Sequence, residues 1–354
     1  MIVTASGGPP AGADLTVGAF QQAGTRLVTV QPADAISARP IEAHADQLRH
    51  LAALHLDDCG AVLFRGFTVA GAAAFHALAR GFADGGGGGD GLLDYEFGST
   101  PRSRIEGGVY SSTEYPAHQW IPQHNEQSYT RRWPMKIWFY CDVAPETAGE
   151  TPIADSRAVL ARIDPAIRRR FADRGLMYVR NYGGGLDLPW SQVFGTSDRR
   201  AVEGFCRAQG IAWDWLDDDR LRTRQICQSE AVHPQTGEAV WFNQAHLFHV
   251  SALDPDLRET LLSVVDEEDL PRNVYYGDGA PLEDAVLDEI RGAYQAEMLR
   301  FAWARGDVLM LDNMLVSHGR APFSGPRRIL VAMAEPHGMA EPHGMPGPHG
   351  VAGG

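Results

Sequence analysis

The chain lacks any run of 18 consecutive apolar residues, and its opening stretch, MIVTASGGPPAGADL, has no basic start followed by an apolar segment. Neither a membrane span nor an export signal is therefore expected. Cysteine is scarce: Cys59, Cys141, Cys206 and Cys227 stand far apart with no CxxC pair, which excludes a zinc ribbon and a dense disulfide framework and suits a reducing cytoplasm. Basic residues are too few for a polyanion partner. Lys plus Arg number 31 against 45 for Asp plus Glu, a net charge of −14 that repels phosphate backbones and anionic lipid, so neither nucleic acid nor a membrane surface is expected as partner. No GxxxxGK[ST] segment occurs, and no GxGxxG motif argues for a nucleotide-binding fold.

What is present is the composition of a folded globular protein: 44% hydrophobic and 21% charged residues over 354 positions. Residues 1–40 read as an N-terminal extension, partly flexible, and 41–334 as one domain with helical insertions. Apolar spacing predicts helices over Ala43–Leu56 and Ala72–Phe82, and Gly60–Gly66 reads as a short buried strand. The glycine run Asp84–Gly91 predicts a mobile surface loop. From Gln119 to Asp155 the residues are β-branched and aromatic, and Ser156 to Phe171 reads as one N-capped helix. Residues 181–200, rich in glycine with Pro189 and Trp190, have the composition of a lid. Leu221–Gln228 and Ala239–Phe242 read as a hairpin around His233–Gly237, and strands return at Val308–Asp312 and Arg328–Met333. Many short strands flanked by helices predict a mainly β, jelly-roll-like double sheet. Residues 335–354 repeat Pro-His-Gly and predict a disordered tail whose His337, His343 and His349 bind metal weakly at most.

Chemistry concentrates in two segments. In His124-Asn-Glu126, residues i and i+2 of a strand project from one face, so imidazole and carboxylate can meet a single ion. His318 follows the apolar run Leu309–Val316. Two histidines and one carboxylate form the facial triad of non-haem Fe(II) oxygenases, leaving three octahedral positions open. Such a centre carries net charge +1, so a dicarboxylate co-substrate of −2 calls for one arginine. Arg327 and Arg328, after a Gly-Pro turn, are placed to supply it, and strand alternation turns one of the two to solvent.

The segments HNEQSYTRRWPMKIWFYC, GETPIADSR, VWFNQAHLFH and LDNMLVSHGRAPFSGPRRILVAM, with GAVLFRGF near the start, resemble the TauD/TfdA family of Fe(II)- and 2-oxoglutarate-dependent dioxygenases. The closest similarity is to its SyrP-like and clavaminate-synthase-like branch, over residues 40–334. The resemblance implies a double-stranded β-helix fold, with His124, Glu126 and His318 as iron ligands. It also implies Thr151 and Arg328 as 2-oxoglutarate ligands, Arg327 being the alternative. It implies consumption of 2-oxoglutarate and O2, with release of succinate and CO2 and hydroxylation of a substrate C–H. Glu126 fills the place that related halogenases leave small for chloride, which disfavours halogenation; desaturation, epoxidation or cyclisation stay open.

The same resemblance implies an amino-acid-type substrate, free or tethered to a peptidyl carrier protein in specialised metabolism. Asn243 is a candidate substrate contact, weighed equally against a turn-stabilising role. Arg131-Arg132 and Arg168–Arg170 offer a basic patch to an acidic carrier, though arginine runs are more often solvated faces. Trp133, Trp138 and Trp241 read as core. A reading of another class, a catalytically silent metal-binding scaffold, is disfavoured by the joint presence of the triad, Thr151 and the arginine pair.

Overall fold

Strand Arg132–Val143 buries both of its faces, and the fold is built around that fact. A computed structural model of the chain describes residues 14–33, 40–83, 91–94, 102–113, 115–183, 185, 188–217 and 220–339. Ile137, Phe139 and Cys141 point to one side of the strand while Trp138 and Tyr140 point to the other, as the two-residue side-chain period requires. The strand is central to an eight-stranded sheet whose order is 15–22, 25–32, 61–64, 308–312, 132–143, 328–338, 109–111 and 104–106. The outer face, with Val62, Phe64 and Met310, packs on helices Ala45–Cys59 and Gly71–Phe82 through Leu48, Leu56, Phe75 and Leu78. The inner face meets Ile153 and Val316 of a three-stranded sheet ordered 121–124, 316–320 and 153–155. Two facing sheets, antiparallel except where 25–32 runs parallel to 61–64, with helices outside form the jelly-roll, double-stranded β-helix arrangement.

The two sheets are joined through a tight link. Strand Val308–Asp312 of the large sheet passes through Asn313–Leu315 directly into strand Val316–Arg320 of the small one. Gly60, which ends helix Ala45–Cys59 at φ +69°, lies against this link; a Cβ there would sit 2.4 Å from Val316 and 2.8 Å from Leu315. Only glycine meets both demands.

Several expectations need correction. The supposed extension is part of the sheet: Leu15–Gln22 and Thr25–Pro32 pair antiparallel, and Leu27, Val28 and Val30 are fully buried. The single helix expected from Ser156 is two, Ser156–Arg162 and Pro165–Arg174. Pro165 cannot donate a backbone N–H, so it starts a helix instead of continuing one, while Asp155 and Asp164 cap the two N-termini. Strand Ala239–Trp241 pairs with Glu230–Val232; Leu221–Cys227 lies between 176–182 and 212–215 in a separate four-stranded sheet. The final strand runs through Pro336-His337-Gly338, pairing with Arg132–Pro134, so the first Pro-His-Gly unit is ordered against the barrel. His337 sits edge-on to Trp133 with ring centres 5.6 Å apart. His343, His349 and the glycine run at 84–90 lie outside the described residues. Trp133, Trp138 and Trp241 are core, as expected.

Candidate metal centre and co-substrate pocket

His318 and His124 are cross-strand partners in the three-stranded sheet. This pairing brings together two residues almost two hundred positions apart in sequence, with ring centres at 4.7 Å. Between them and Arg320, Gly319 presses on the neighbouring backbone: a Cβ there would lie 2.5 Å from the Ile121 carbonyl oxygen. The strand ends at His124, so the HxE segment is not one strand. Asn125 and Glu126 lie in a turn, with Gln127 at φ +56°. The alternation argument still gives the right convergence, because the turn keeps Asn125 pointing inward. Its Nδ2 donates to Ser156 Oγ at 3.0 Å and to the Asn313 carbonyl at 2.6 Å.

His124, Glu126 and His318 offer ligand atoms that all lie within 4.8 Å of one another, the one such group of His, Cys, Asp and Glu side chains among the described residues. His124 Nδ1 donates to the Pro122 carbonyl at 2.9 Å, which leaves Nε2 to face an ion. His318 Nε2 is 3.8 Å from Glu126 Oε2, and its Nδ1 is buried without a partner. Burial pushes both imidazoles down, His318 well below its ordinary value with His124 and Arg102 adding to the effect, while Glu126 partly offsets the shift at His124. Both rings are thus neutral, the form that donates a lone pair to a metal. Arg102, missed from sequence, is buried and binds Glu126 Oε2 at 2.7 Å. No pattern in TPRSRI singles it out.

A small pocket beside the triad is lined by Thr151, Phe139, Ile329, Arg320 and Arg327 together with both histidines. Arg327 shares the inward face with Ile329 and Val331, whereas Arg328 points outward, exposed, and pairs with Asp142. Of the two arginines, Arg327, the alternative, lines this pocket and the first choice, Arg328, does not, because adjacent strand residues face opposite sides. Arg327 Nε donates to the Gly149 carbonyl at 3.1 Å. Burial and the neighbouring Arg320 lower its guanidinium to about 10. Arg320 donates to the carbonyls of Tyr115, Pro116 and Gln119, yet its buried Nε has no partner. Among the described residues no carboxylate bridges these two guanidiniums, Arg320 buried and Arg327 half-buried, so the site fits a dianion. Arg320 was also missed; its signal was its place two residues after His318 on one strand. Thr151 Oγ1 accepts from Trp303 Nε1 at 3.1 Å, so its own proton is available to an anion.

On the other side of the triad lies a cavity of about 470 Å³, bounded by Arg102, His124, Glu126, Tyr129, Gln244 and Phe248 and reaching to Arg272. Asn243 does not line it. That side chain is fully buried, donating to the Ser229 carbonyl at 2.8 Å and accepting from Ala245 N at 3.0 Å, so the turn-stabilising reading holds and its neighbour Gln244 faces the cavity. Within the expected lid at 181–200, Tyr182 and Trp190 pack in a satellite core with Val202 and Leu221, away from the cavity wall. Of the arginine runs, Arg170 is engaged with Glu283 at 2.6 Å.

Comparison with known proteins agrees with this geometry. The family described as taurine catabolism dioxygenase TauD, TfdA family matches residues 26–333. The chain belongs to the TauD/TfdA family. The dapdiamide synthesis protein DdaC of Enterobacter agglomerans is 42% identical over 79% of this chain and 84% of its own. A clavaminate synthase-like protein of Arabidopsis thaliana is 31% identical over 79% of this chain and 83% of its own. The fold is shared with PvcB of Pseudomonas aeruginosa, at a TM-score of 0.54 and 16% identity, covering 94% of both chains. This TauD/TfdA member is a 2-oxoglutarate-dependent non-haem iron oxygenase, with O2 as the second co-substrate. No described helix is long and apolar enough to cross a membrane.

Proposed function

We propose that this enzyme hydroxylates an unactivated C–H bond of an amino-acid-type substrate in a biosynthetic pathway. The observation that carries the reading is the convergence of His124, Glu126 and His318 at the wall between a cationic pocket and a larger cavity. The three side chains hold iron(II), and Arg327 and Thr151 hold the distal carboxylate of 2-oxoglutarate. Bound together, the metal and co-substrate would supply the electrons that activate O2. The protein's own part is placement and exclusion of water. Phe139, with its ring centre 5.0 Å from that of His318, closes the co-substrate side of the centre, and Tyr129 and Phe248 wall the larger cavity. Arg102 keeps one oxygen of Glu126 engaged.

A relative named for dapdiamide synthesis supports a biosynthetic setting. The cavity of about 470 Å³ falls within the roughly 300–1,000 Å³ of sites that enclose drug-sized ligands. It therefore has room for more than a free amino acid, which favours an extended or carrier-tethered substrate. Four buried free thiols fit a cytoplasmic enzyme. Free and carrier-loaded amino acids, tested for substrate-dependent succinate release, decide the matter. A product heavier by one oxygen is expected, whereas loss of two hydrogens would replace hydroxylation by desaturation. Glu126→Ala is expected to abolish turnover; undiminished succinate release in that variant overturns the assignment.

A further inference from the structure

Asn313, in the link between the two sheets, is fully buried and grips Glu126 by its backbone from both sides. Its Oδ1 accepts from Glu126 N at 2.7 Å, and its Nδ2 donates to the Glu126 carbonyl at 2.9 Å and to the Pro134 carbonyl at 2.8 Å. The Asn313 carbonyl itself receives Asn125 Nδ2 at 2.6 Å. Asn313 therefore holds both Asn125 and Glu126, and the turn they form is irregular backbone beyond the end of the strand.

Asn313 is in turn fixed by Asp312, whose Oδ1 accepts from Met314 N and Leu315 N, each at 3.0 Å. Asp312 Oδ2 is held by Lys136 Nζ at 2.8 Å and by His233 Nε2 at 3.1 Å, all three residues being buried. Thr236 N donates to His233 Nδ1 at 3.1 Å, so His233 Nε2 carries the proton it gives to Asp312. A buried charge pair of this kind adds little to stability over an apolar replacement. Its value lies in fixing one geometry.

We infer that Asn313 is a positioning residue for the metal centre, setting the depth and angle of the Glu126 carboxylate through that residue's backbone, with Lys136, Asp312 and His233 holding Asn313 in register. The inference rests on Glu126 being a metal ligand. The link that carries Asn313 continues straight into the strand bearing His318, so one segment places an acid and an imidazole that come from distant parts of the chain. Outer partners of metal ligands are worth about 10- to 100-fold in metal affinity.

The test is Mn(II) affinity of the metal-free full chain by calorimetry, alongside its thermal midpoint. Asn313→Ala is expected to weaken Mn(II) binding by about 10- to 100-fold. If that variant does not fold, Asn313→Ser leaves a polar group in the space but cannot span both backbone groups, and the same weakening is expected. Asn273→Ala, a buried amide in strand Arg272–Tyr276 with a comparable set of hydrogen bonds, serves as the folding control. It should lower the thermal midpoint and leave Mn(II) affinity unchanged. Glu126→Ala separates the two levels. If Glu126→Ala binds Mn(II) normally, the metal reading fails; if it loses Mn(II) while both Asn313 variants keep wild-type affinity, the positioning role alone is overturned.

Discussion

Arg327 and Arg328 are chemically identical neighbours, yet the strand sends one into the co-substrate pocket and the other out to Asp142. A charged hydrogen bond contributes about 1.5–3 kcal/mol, so Arg327→Ala is expected to raise KM for 2-oxoglutarate by about 10- to 150-fold. Arg328→Ala should stay within about twofold of wild type, as usual for an exposed ion pair. Steady-state kinetics with varied 2-oxoglutarate checks both, and equal defects would contradict the facing. At this scale the sequence was legible where residue type and spacing agree, in two imidazoles, one acid and an arginine pair, while Thr151 came only from the family resemblance. It was silent on Arg102, which acts only through a fold-dependent contact with Glu126. It left two roles open at Asn243, because a buried turn amide and a ligand amide look alike until the backbone groups around them are known.

Among the elements, the strand bearing His318 has little room to vary. Gly319→Ala places a methyl group 2.5 Å from the Ile121 carbonyl oxygen and 3.2 Å from Gln123 N, which pushes apart the two strands that carry the histidines. Overpacking of this kind costs about 1–3 kcal/mol. Both a lower thermal midpoint and weaker Mn(II) binding are expected; a fall in the midpoint alone would mean that the strands relax without moving the rings. Element boundaries were legible where periodicity was long, as in Gly71–Phe82 and Val308–Asp312. They failed where one residue overrides a pattern. Pro165 splits an apolar run, and His124 ends its strand one residue before Asn125.

For the molecule as a whole, buried neutral histidines tie stability to pH. Burial lowers His246 to about 3, and its Nε2 donates to the Gln123 carbonyl at 2.9 Å. The unfolded chain takes up that proton near its ordinary value of 6.5, so the stabilisation is present above about pH 6.5 and is lost as pH falls toward 3. The slope is about 1.4 kcal/mol per pH unit for this one group. Urea denaturation at roughly pH 7 and pH 5 should show that loss in the wild type, and His246→Gln should lessen it by the same slope. An unchanged dependence in the variant would place the sensitivity elsewhere. The jelly roll was readable from the mixture of short strands and helices. The membership of residues 15–32 in its sheet was not, since those strands lie far in sequence from the motifs that signal the site.

The cross-strand partnership of His124 and His318 bears on how such a chain diverges. A slip of one residue between those strands would turn one imidazole through the sheet. Insertions are therefore tolerable in the loops around this ladder but not within it, and selection for a working oxidant doubles as proofreading of strand alignment.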